Sequence, residues 1–532
     1  MAPLVNDPRE DQTLAKILRK RAEESGDQPF LITAEGALSY AALDRLSNRL
    51  AHGLARLGIG AGETVLMMLP NTVDFFALWC GLAKLGAVEV PVNTAYRGTI
   101  LAHVLNDSLA ETLIVDTEFL GRLAEVADRL TALKRLVLYG ARAAEGLPPG
   151  LAGRFAEAAF EDLLAQETSP PNVEVRWCDL NAVMYTSGTT GPSKGVMISH
   201  AHTYHYALSV VDLLQLTPED VYYGPLPLFH IAGQWAVLYT TMIAGARAVL
   251  PPRFSIESFW SDVARHGVTA TFLLGAMANF LHKQPARAGD ARTPLKKALV
   301  VPLFPEFEDF KRRFQIEVTT TYGSTECNVP IRAGFDVSDY RTSGRLHAEL
   351  YEGRIVDQDD REVPPGVPGE FVMRAKEPGI LMAGYWNRPE ATTAAWRNLW
   401  LHSGDVLKCD EEGNYTFVDR TKDAIRRRGE NISSIEVENE INAHPAVVES
   451  AVVPVASEDT EQEVMAIVAL KPGESLDPEA LIEFLKPRMA TFMVPRYLDF
   501  TDELPKTPTG KIQKYPLRER GLTPTTWDRE KS

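Results

Sequence analysis

The chain has 532 residues, 45% hydrophobic and 24% charged, with 55 Lys and Arg against 71 Asp and Glu and a net charge of −16. Length predicts several domain-sized units in an ordinary globular protein, and so acidic a chain makes a poor general binder of nucleic acid or anionic membrane unless basic residues cluster. Four scattered cysteines, Cys80, Cys178, Cys327 and Cys409, form no CxxC pair, which excludes a disulfide framework or thiolate zinc site as the organising principle and reads as reduced thiols.

In chain order, the amino-terminal MAPLVNDPRED has no apolar stretch behind a basic start and does not read as a secretory signal. Leu43, Leu46, Leu50, Leu54 and Leu57 recur at helical spacing, with Ser39 placed to cap the helix and Gly58 to stop it. TVLMML (64–69) reads as a buried strand, 71–85 as a helix ending near Gly86, and AVEVPV as the next strand. Residues 75–92 form the most apolar run, but Lys84, Glu89 and Pro91 interrupt it too often for a bilayer span. ETLIVD (111–116) and KRLVLYG (134–140) are two more β-rich runs, and this alternation predicts a parallel α/β sheet. Residues 141–175 read as a connection with some helix, and the alternation resumes from Leu180 to about Tyr322. GRIVD, GEFVMRA and GNYTFVD, separated by Pro-Gly turns, predict an antiparallel unit around 335–420. Beyond the charged TKDAIRRRGEN, a helix (433–444), strands (447–455 and 463–470) and a helix (477–489) outline a small α+β domain.

Four segments carry candidate chemistry. Tyr185 to Gly195 reads YTSGTTGPSKG directly after the strand-like AVMY. Glycines let backbone N–H groups wrap a phosphate, hydroxyls donate hydrogen bonds, and Lys194 adds a point charge. Lys194 is followed by Gly195, so this is not the GxxxxGK[ST] loop; a flexible Ser/Gly loop is the alternative. TYGSTE (321–326) sets a carboxylate beside hydroxyls, which suits Mg²⁺ that also holds nucleotide phosphates, although a turn after a strand explains the hexapeptide equally well. Ser403-Gly-Asp405 precedes Asp419-Arg420; an aspartate can accept both ribose hydroxyls and an arginine can hold a hydroxyl or phosphate. PKTPTGK (505–511) delivers Lys511 on a Pro/Gly-defined loop.

Taken together and in this order, YTSGTTGPSKG, YGSTE, HSGD, DRTKDAIRRRGENI and PKTPTGK make the chain resemble the adenylate-forming superfamily of acyl-CoA synthetases, luciferases and peptide-synthetase adenylation domains, from about residue 12 to residue 520. The resemblance implies an α/β fold: a large N-terminal adenylation domain (1–421) of α/β subdomains with a small β-barrel-like subdomain, and a small mobile α+β C-terminal domain (422–532). It implies that Thr186, Ser187, Gly188, Thr189, Thr190, Gly191 and Lys194 close over ATP phosphates. Tyr322 would pack on adenine, Thr325 contact the α-phosphate, and Glu326 hold Mg²⁺. Asp405 would take the ribose hydroxyls with help from Arg420. Lys511 would be the adenylation lysine, Lys422 the hinge, and Gly429 would line the pantetheine tunnel. The Gly-Gly-Ala-Pro-like segment of many members is here Ala298-Leu-Val-Val-Pro-Leu-Phe-Pro305, without glycines, so its adenine contacts are not assigned.

Leu226-Pro-Leu-Phe-His230 matches the family's aromatic/His gate, where amino-acid-activating members carry an aspartate, so an α-amino acid is not the expected substrate. A satisfied core histidine is the alternative for His230 in isolation. Trp235 and Gly275–Met277 are further pocket candidates. RRRGENISSIEVENEI looks most like the bacterial carnitine/crotonobetaine-type CoA ligases. The implied reaction joins a small carboxylic acid to CoA, or to a carrier-protein phosphopantetheine, in two steps with ATP and Mg²⁺. No nucleic acid, no membrane span and a cytoplasmic location are expected, and a homodimer stays open. Arg426-Arg427-Arg428 reads as a nucleic-acid patch or, more often in an acidic chain, as a solvated face or a place to meet the CoA phosphates, and His202 with His205 as a metal pair that lacks adjacent co-ligands.

Overall fold

The computed structural model describes residues 6–140, 143, 146–186, 193–420, 424–428, 430–457, 462–505, 512 and 514–531. Its scaffold is three large sheets and a smaller C-terminal one. The first has eight strands in the order Gly384–Tyr385, Lys194–Ser199, Leu180–Thr186, Val88–Pro91, Thr64–Met68, Thr112–Asp116, Arg135–Tyr139 and Ala156–Ala159. Its body is parallel, with Thr64 opposite Val88 and Val65 opposite Thr112, while Leu180–Thr186 and Lys194–Ser199 pair antiparallel. Parallel strands are covered on both faces, so these read as continuous apolar runs; Val65 to Met68 and Leu113 to Val115 are fully buried. The helices start where the capping residues stand. Ser39 Oγ accepts from Ala42 N (3.2 Å) at helix Tyr40–Arg56, and Thr72 Oγ1 accepts from Phe75 N (3.2 Å) at helix Val73–Leu85.

The second sheet, also mostly parallel, runs Glu317–Thr319, Lys297–Val301, Ala270–Leu274, Val221–Tyr223, Arg247–Val249, Pro29–Thr33 and Gly36–Ser39. The Pro29–Ser39 hairpin at its edge was not foreseen, and neither was strand Ala156–Ala159 within the stretch read as a connection. That strand reads AEAA, without the β-branched or alternating pattern that marks a strand; its pairing with Arg135–Tyr139 sustains it.

The third sheet is antiparallel: Thr321–Ser324, Asn328–Arg332, Thr342–Leu346, Asn414–Arg420, Leu401–Cys409, Gly369–Ala375 and Tyr351–Val356. It begins at Thr321 rather than near 335, so the YGSTE segment is its edge strand. Its two outer strands are not paired with each other, and among the described residues the expected barrel-like unit is an open sheet.

The C-terminal part holds the hairpin Ala424–Arg427 with Glu430–Ser433, helix Ser434–Asn442, and a sheet of Val447–Ala456, Gln462–Leu470, Tyr497–Thr501 and Trp527–Asp528. One buried apolar cluster joins it to the first sheet, running from Val88, Val90 and Val183 to Ile425, Val437 and Met493. All four cysteines are free thiols, and no helix of the described residues is long and apolar enough to cross a membrane.

Candidate active site

A cavity of about 1210 Å³ opens where the three large sheets meet the Ala424–Ser433 hairpin. Four of its walls are informative. Thr186 and Lys194 come from the adjacent strands of the first sheet, and Gly323, Ser324, Thr325 and Glu326 from the edge of the antiparallel one. Ser403, Gly404 and Asp405 come from the Leu401–Cys409 strand of the same sheet, and Arg426, Arg428 and Glu430 from the C-terminal hairpin. Thus Thr186, Lys194, His230, Thr325, Glu326 and Asp405, spread over 220 residues of sequence, share one cavity.

Glu326 sits at its centre. Its Oε1 accepts from Tyr385 Oη at 3.2 Å and lies 3.5 Å from Thr186 Oγ1. The Tyr385 ring in turn faces Lys194 Nζ at 4.3 Å from its centroid, a cation–π distance. Tyr385 owes this place to the short strand Gly384–Tyr385, which pairs with Lys194–Ser199, and to Trp386 N donating to Gly195 O at 2.7 Å. Gly195 must be glycine here: a Cβ would lie 2.6 Å from Val183 Cγ1 and 3.2 Å from Trp386 Cβ. Burial, then the Glu326 charge, push the Tyr385 phenol well above its ordinary range, so it stays a donor. A single hard carboxylate with hydroxyl neighbours, open to the cavity, fits Mg²⁺ that takes its other ligands from phosphates and water. Among the described residues, no group of three or more His, Cys, Asp and Glu forms a site able to hold a metal alone.

At the second corner, Tyr322 Oη donates to Asp405 Oδ2 at 2.7 Å, with both residues buried. The Tyr322 ring stands edge-on to Phe371 at 5.8 Å. The Ser403–Asp405 turn is held by Ser403 Oγ donating to Phe371 O (2.6 Å) and by Gly404 N donating to Glu370 Oε1 (3.0 Å). Glu370 also meets His402 Nδ1 (2.9 Å) and Arg397 Nη2 (3.1 Å). These partners help hold the Glu370 carboxyl below the usual range despite burial.

The apolar wall is Tyr206, Leu226, Phe229, Phe272, Leu274, Met277 and Val301. Trp235 does not line it. That ring packs behind Tyr206 at 5.6 Å and is fully buried, and of Gly275–Met277 only Met277 reaches the cavity. No hydrogen-bond partner for the Tyr206 hydroxyl occurs among the described residues. His230 lines the cavity and its Nδ1 accepts from Ala232 N at 3.2 Å. Burial, then Arg426, lower its pKa to about 4, so the imidazole is neutral near pH 7. His202 and His205 are buried inside helix His200–Leu214, at pKa values lowered to about 3 and about 4 by burial. They are packed core histidines: His202 stands edge-on to Trp235 at 5.8 Å.

The arginine run divides between core and cavity, with Arg428 exposed. Arg427 is buried, with Nε 2.6 Å from Glu463, while Arg426 and Arg428 line the cavity. Asp405 pairs with Arg420 in strand register, but nothing is described of the Arg420 side chain. Ser187, Gly188, Thr189, Thr190, Gly191, Lys422, Gly429 and Lys511 lie outside the described residues. Residues that the motifs did not single out are Tyr385, Glu370, His402 and Tyr206. Tyr385, Glu370 and His402 act through partners distant in sequence, while Tyr206 lines the cavity itself; only GYW, a short aromatic segment after a Pro-Gly turn, hinted at the first.

Comparison with known proteins gives a consistent picture. Residues 18–386 match the family described as AMP-binding enzyme, and residues 436–511 match the AMP-binding enzyme C-terminal domain. The chain is 32% identical over 523 residues to a crotonobetaine/carnitine–CoA ligase of Salmonella enteritidis, covering 95% of this chain and 99% of that one. It resembles the structure of a double mutant of o-succinylbenzoate CoA synthetase from Bacillus subtilis bound with its product analogue, at TM-score 0.81 and 25% identity over 95% of this chain and 98% of that one. It also resembles a Mycobacterium tuberculosis fatty acyl CoA synthetase, at TM-score 0.69 and 28% identity over 96% and 99%.

Proposed function

The chain belongs to the AMP-binding enzyme family, and from that premise we propose that it is an ATP-dependent ligase that activates a carboxylic acid as its acyl-adenylate, releasing pyrophosphate, and then transfers the acyl group to the thiol of CoA, releasing AMP. The observation that carries this reading is the single cavity in which Lys194, Glu326 and Asp405 face an apolar wall beneath the C-terminal hairpin.

A carboxylate is a weak nucleophile and is repelled by a triphosphate, so the first step needs charge neutralised and oxygens held in line at the α-phosphorus. Thr186 and Lys194 meet the phosphates, Thr325 the α-phosphate, and Asp405 the ribose hydroxyls, with Tyr322 fixing the Asp405 carboxylate from behind. Glu326 would hold Mg²⁺, which would supply neutralisation of the phosphate charge. Lys511 joins the acid's carboxylate to the α-phosphate. Phe229 and the neutral His230 shape the entrance to the apolar wall without placing a charge against the acyl group.

The second step wants a thiol where the first wanted a lysine, and the family's remedy is rotation of the C-terminal domain about Lys422. Arg426, Arg428 and Glu430 at the cavity support reading the present arrangement as the thioester-forming one. The domain boundary follows the same logic and falls at 421–422. We assign the reaction to the cytoplasm, where ATP and CoA are supplied.

Among the described residues, none of the seven that form the apolar wall carries a charge. We therefore place the acid among those with an uncharged apolar or aryl body, with the Tyr206 hydroxyl as a donor to one acceptor on it. A product assay by mass spectrometry with ATP, Mg²⁺, CoA and a panel of fatty, aryl and betaine acids tests this. AMP with an aryl- or alkyl-CoA is the expected result. Turnover of betaines alone overturns the substrate class, acyl-adenylate without thioester moves the acceptor to a carrier protein, and no AMP with any acid overturns the reaction.

A further inference from the structure

We propose that Glu436, in the first turn of helix Ser434–Asn442, is a positioning residue for thioester formation: its carboxylate clamps Ser193, beside the phosphate-binding Lys194, to the C-terminal domain. The proposal rests on the two-step reading above.

The contact is built from both sides. Glu436 Oε1 accepts from Ser193 N at 2.8 Å and from Ser193 Oγ at 2.6 Å. Both residues are buried, Ser193 at 1% exposure and Glu436 at 6%. From the other side, Ser193 O meets His103 Nε2 at 2.7 Å. The His103 ring stands edge-on to Tyr185, whose hydroxyl donates to Asp107 Oδ2 at 2.9 Å. The backbone N–H, the carbonyl and the hydroxyl of Ser193 are thus all satisfied, two of them by one carboxylate from a domain more than 240 residues away.

A second contact of the same interface fixes how closely the domains meet. Gly98 has φ +53, and a Cβ there would lie 2.7 Å from Arg488 O. Arg488 Nε is itself held by the buried Glu440 at 2.8 Å. Neither Glu436 nor Gly98 is among the residues lining the cavity.

The chemistry gives the clamp a direction. A buried carboxylate beside Lys194 repels a polyphosphate bound there, and releasing it leaves the Ser193 N–H and hydroxyl free to turn to other acceptors. The clamp therefore closes after pyrophosphate has left, which is when the thioester step needs the C-terminal hairpin at the cavity. Glu436 serves the second half-reaction and is idle in the first.

The test uses the full chain. ATP–pyrophosphate exchange reads the first half-reaction, thioester formation from supplied acyl-adenylate and CoA reads the second, and residue-resolved amide exchange reads the Ser193 N–H. In Glu436→Ala, Ser193 exchange should quicken and the second half-reaction fall about tenfold or more, the scale of a lost hydrogen bond to a charged group. Pyrophosphate exchange should stay within about twofold of the wild type. Glu436→Gln keeps an acceptor oxygen and should recover most of the loss, while Gly98→Ala should reproduce the split by obstructing the Arg488 carbonyl. Unchanged Ser193 exchange in Glu436→Ala overturns the contact. Equal losses in both half-reactions, or none in the second, overturn the role. A wild-type chain that makes no acyl-adenylate overturns the two-step reading and the role built on it, while amide exchange still decides the contact.

Discussion

Tyr322→Phe is the cleanest probe of the nucleotide site, because it deletes one oxygen and leaves the ring edge-on to Phe371. The lost atom donates to Asp405 Oδ2 at 2.7 Å, inside a region where both residues are buried. A hydrogen bond to a charged group contributes about 1.5–3 kcal/mol, and each 1.4 kcal/mol is about tenfold in an equilibrium constant. Asp405 keeps the support of the Ser403 turn, with its own N–H donating to Ser403 Oγ at 3.1 Å, so the lower end of that range applies. The KM for ATP in pyrophosphate exchange should rise about tenfold, with the KM for the acid unchanged. Because a loosely held carboxylate reads the ribose less well, the preference for ATP over 2′-deoxy-ATP should shrink in parallel. A variant with wild-type KM for ATP and undiminished discrimination against the deoxynucleotide would refute the placing of the ribose at Asp405 under Tyr322.

Two further outcomes follow from the same geometry. Glu326→Gln keeps an acceptor for Tyr385 and Thr186 but removes the charge; pyrophosphate exchange should fall about a hundredfold, the scale of a lost electrostatic stabiliser, and half-saturation should require more Mg²⁺. An unaltered Mg²⁺ dependence would remove the metal from Glu326. The buried histidines of helix His200–Leu214 predict acid lability: burial lowers His200 and His205 to about 4 and His202 to about 3. The unfolded chain takes up these protons near pH 6.5 and the folded one does not, so their stabilising effect is complete above pH 6.5 and is lost on acidification towards pH 3–4, at about 1.4 kcal/mol per histidine per pH unit. His202→Phe should lose less stability than the wild type between pH 7 and pH 5, by about 2 kcal/mol, in urea unfolding; an equal loss in both would refute the account.

Much of this was legible in the sequence because the relevant information is local. The leucine spacing and Ser39 define helix Tyr40–Arg56 on their own, and glycine- and hydroxyl-rich segments announce themselves wherever they lie. What sequence patterns miss is structure maintained by a distant partner. AEAA at 156–159 is a strand because Arg135–Tyr139 offers it a parallel edge. The YGSTE segment is an edge strand because Asn328–Arg332 folds back on it. In the same way Tyr385 matters only because Lys194 and Glu326, far away in the chain, are on either side of it, and Trp235 proved to stand behind the wall rather than on it because helix His200–Leu214 interposes Tyr206. The arginine run illustrates the same limit from the other side: adjacent in sequence, its three side chains part company, one buried against Glu463 and two lining the cavity.

That partition also resolves an apparent electrostatic conflict. A chain of net charge −16 should repel ATP and CoA, both polyanions, at long range. Yet Arg122, Lys194, Arg253, Arg397, Arg426 and Arg428 line the cavity against five carboxylates, Glu118, Glu326, Glu370, Asp405 and Glu430. Pairing occurs on both sides of this balance: Arg397 meets Glu370 and Asp360, and Arg428 faces Glu530, while Asp405 and Glu326 keep their charge and accept from the neutral phenols of Tyr322 and Tyr385. Cations and carboxylates are therefore close to balance at the cavity, and because charges beyond about 8 Å are largely screened at physiological salt, an approaching phosphate meets this local balance rather than the net charge of the chain. Global acidity keeps the protein from binding polyanions at large, while the local balance admits them at one place. Two of the six cations, Arg426 and Arg428, arrive with the C-terminal hairpin, so the positive charge at the cavity depends on where that domain sits. On the proposed two-step reading, domain position sets the local charge as well as which side chain reaches the reacting carbonyl.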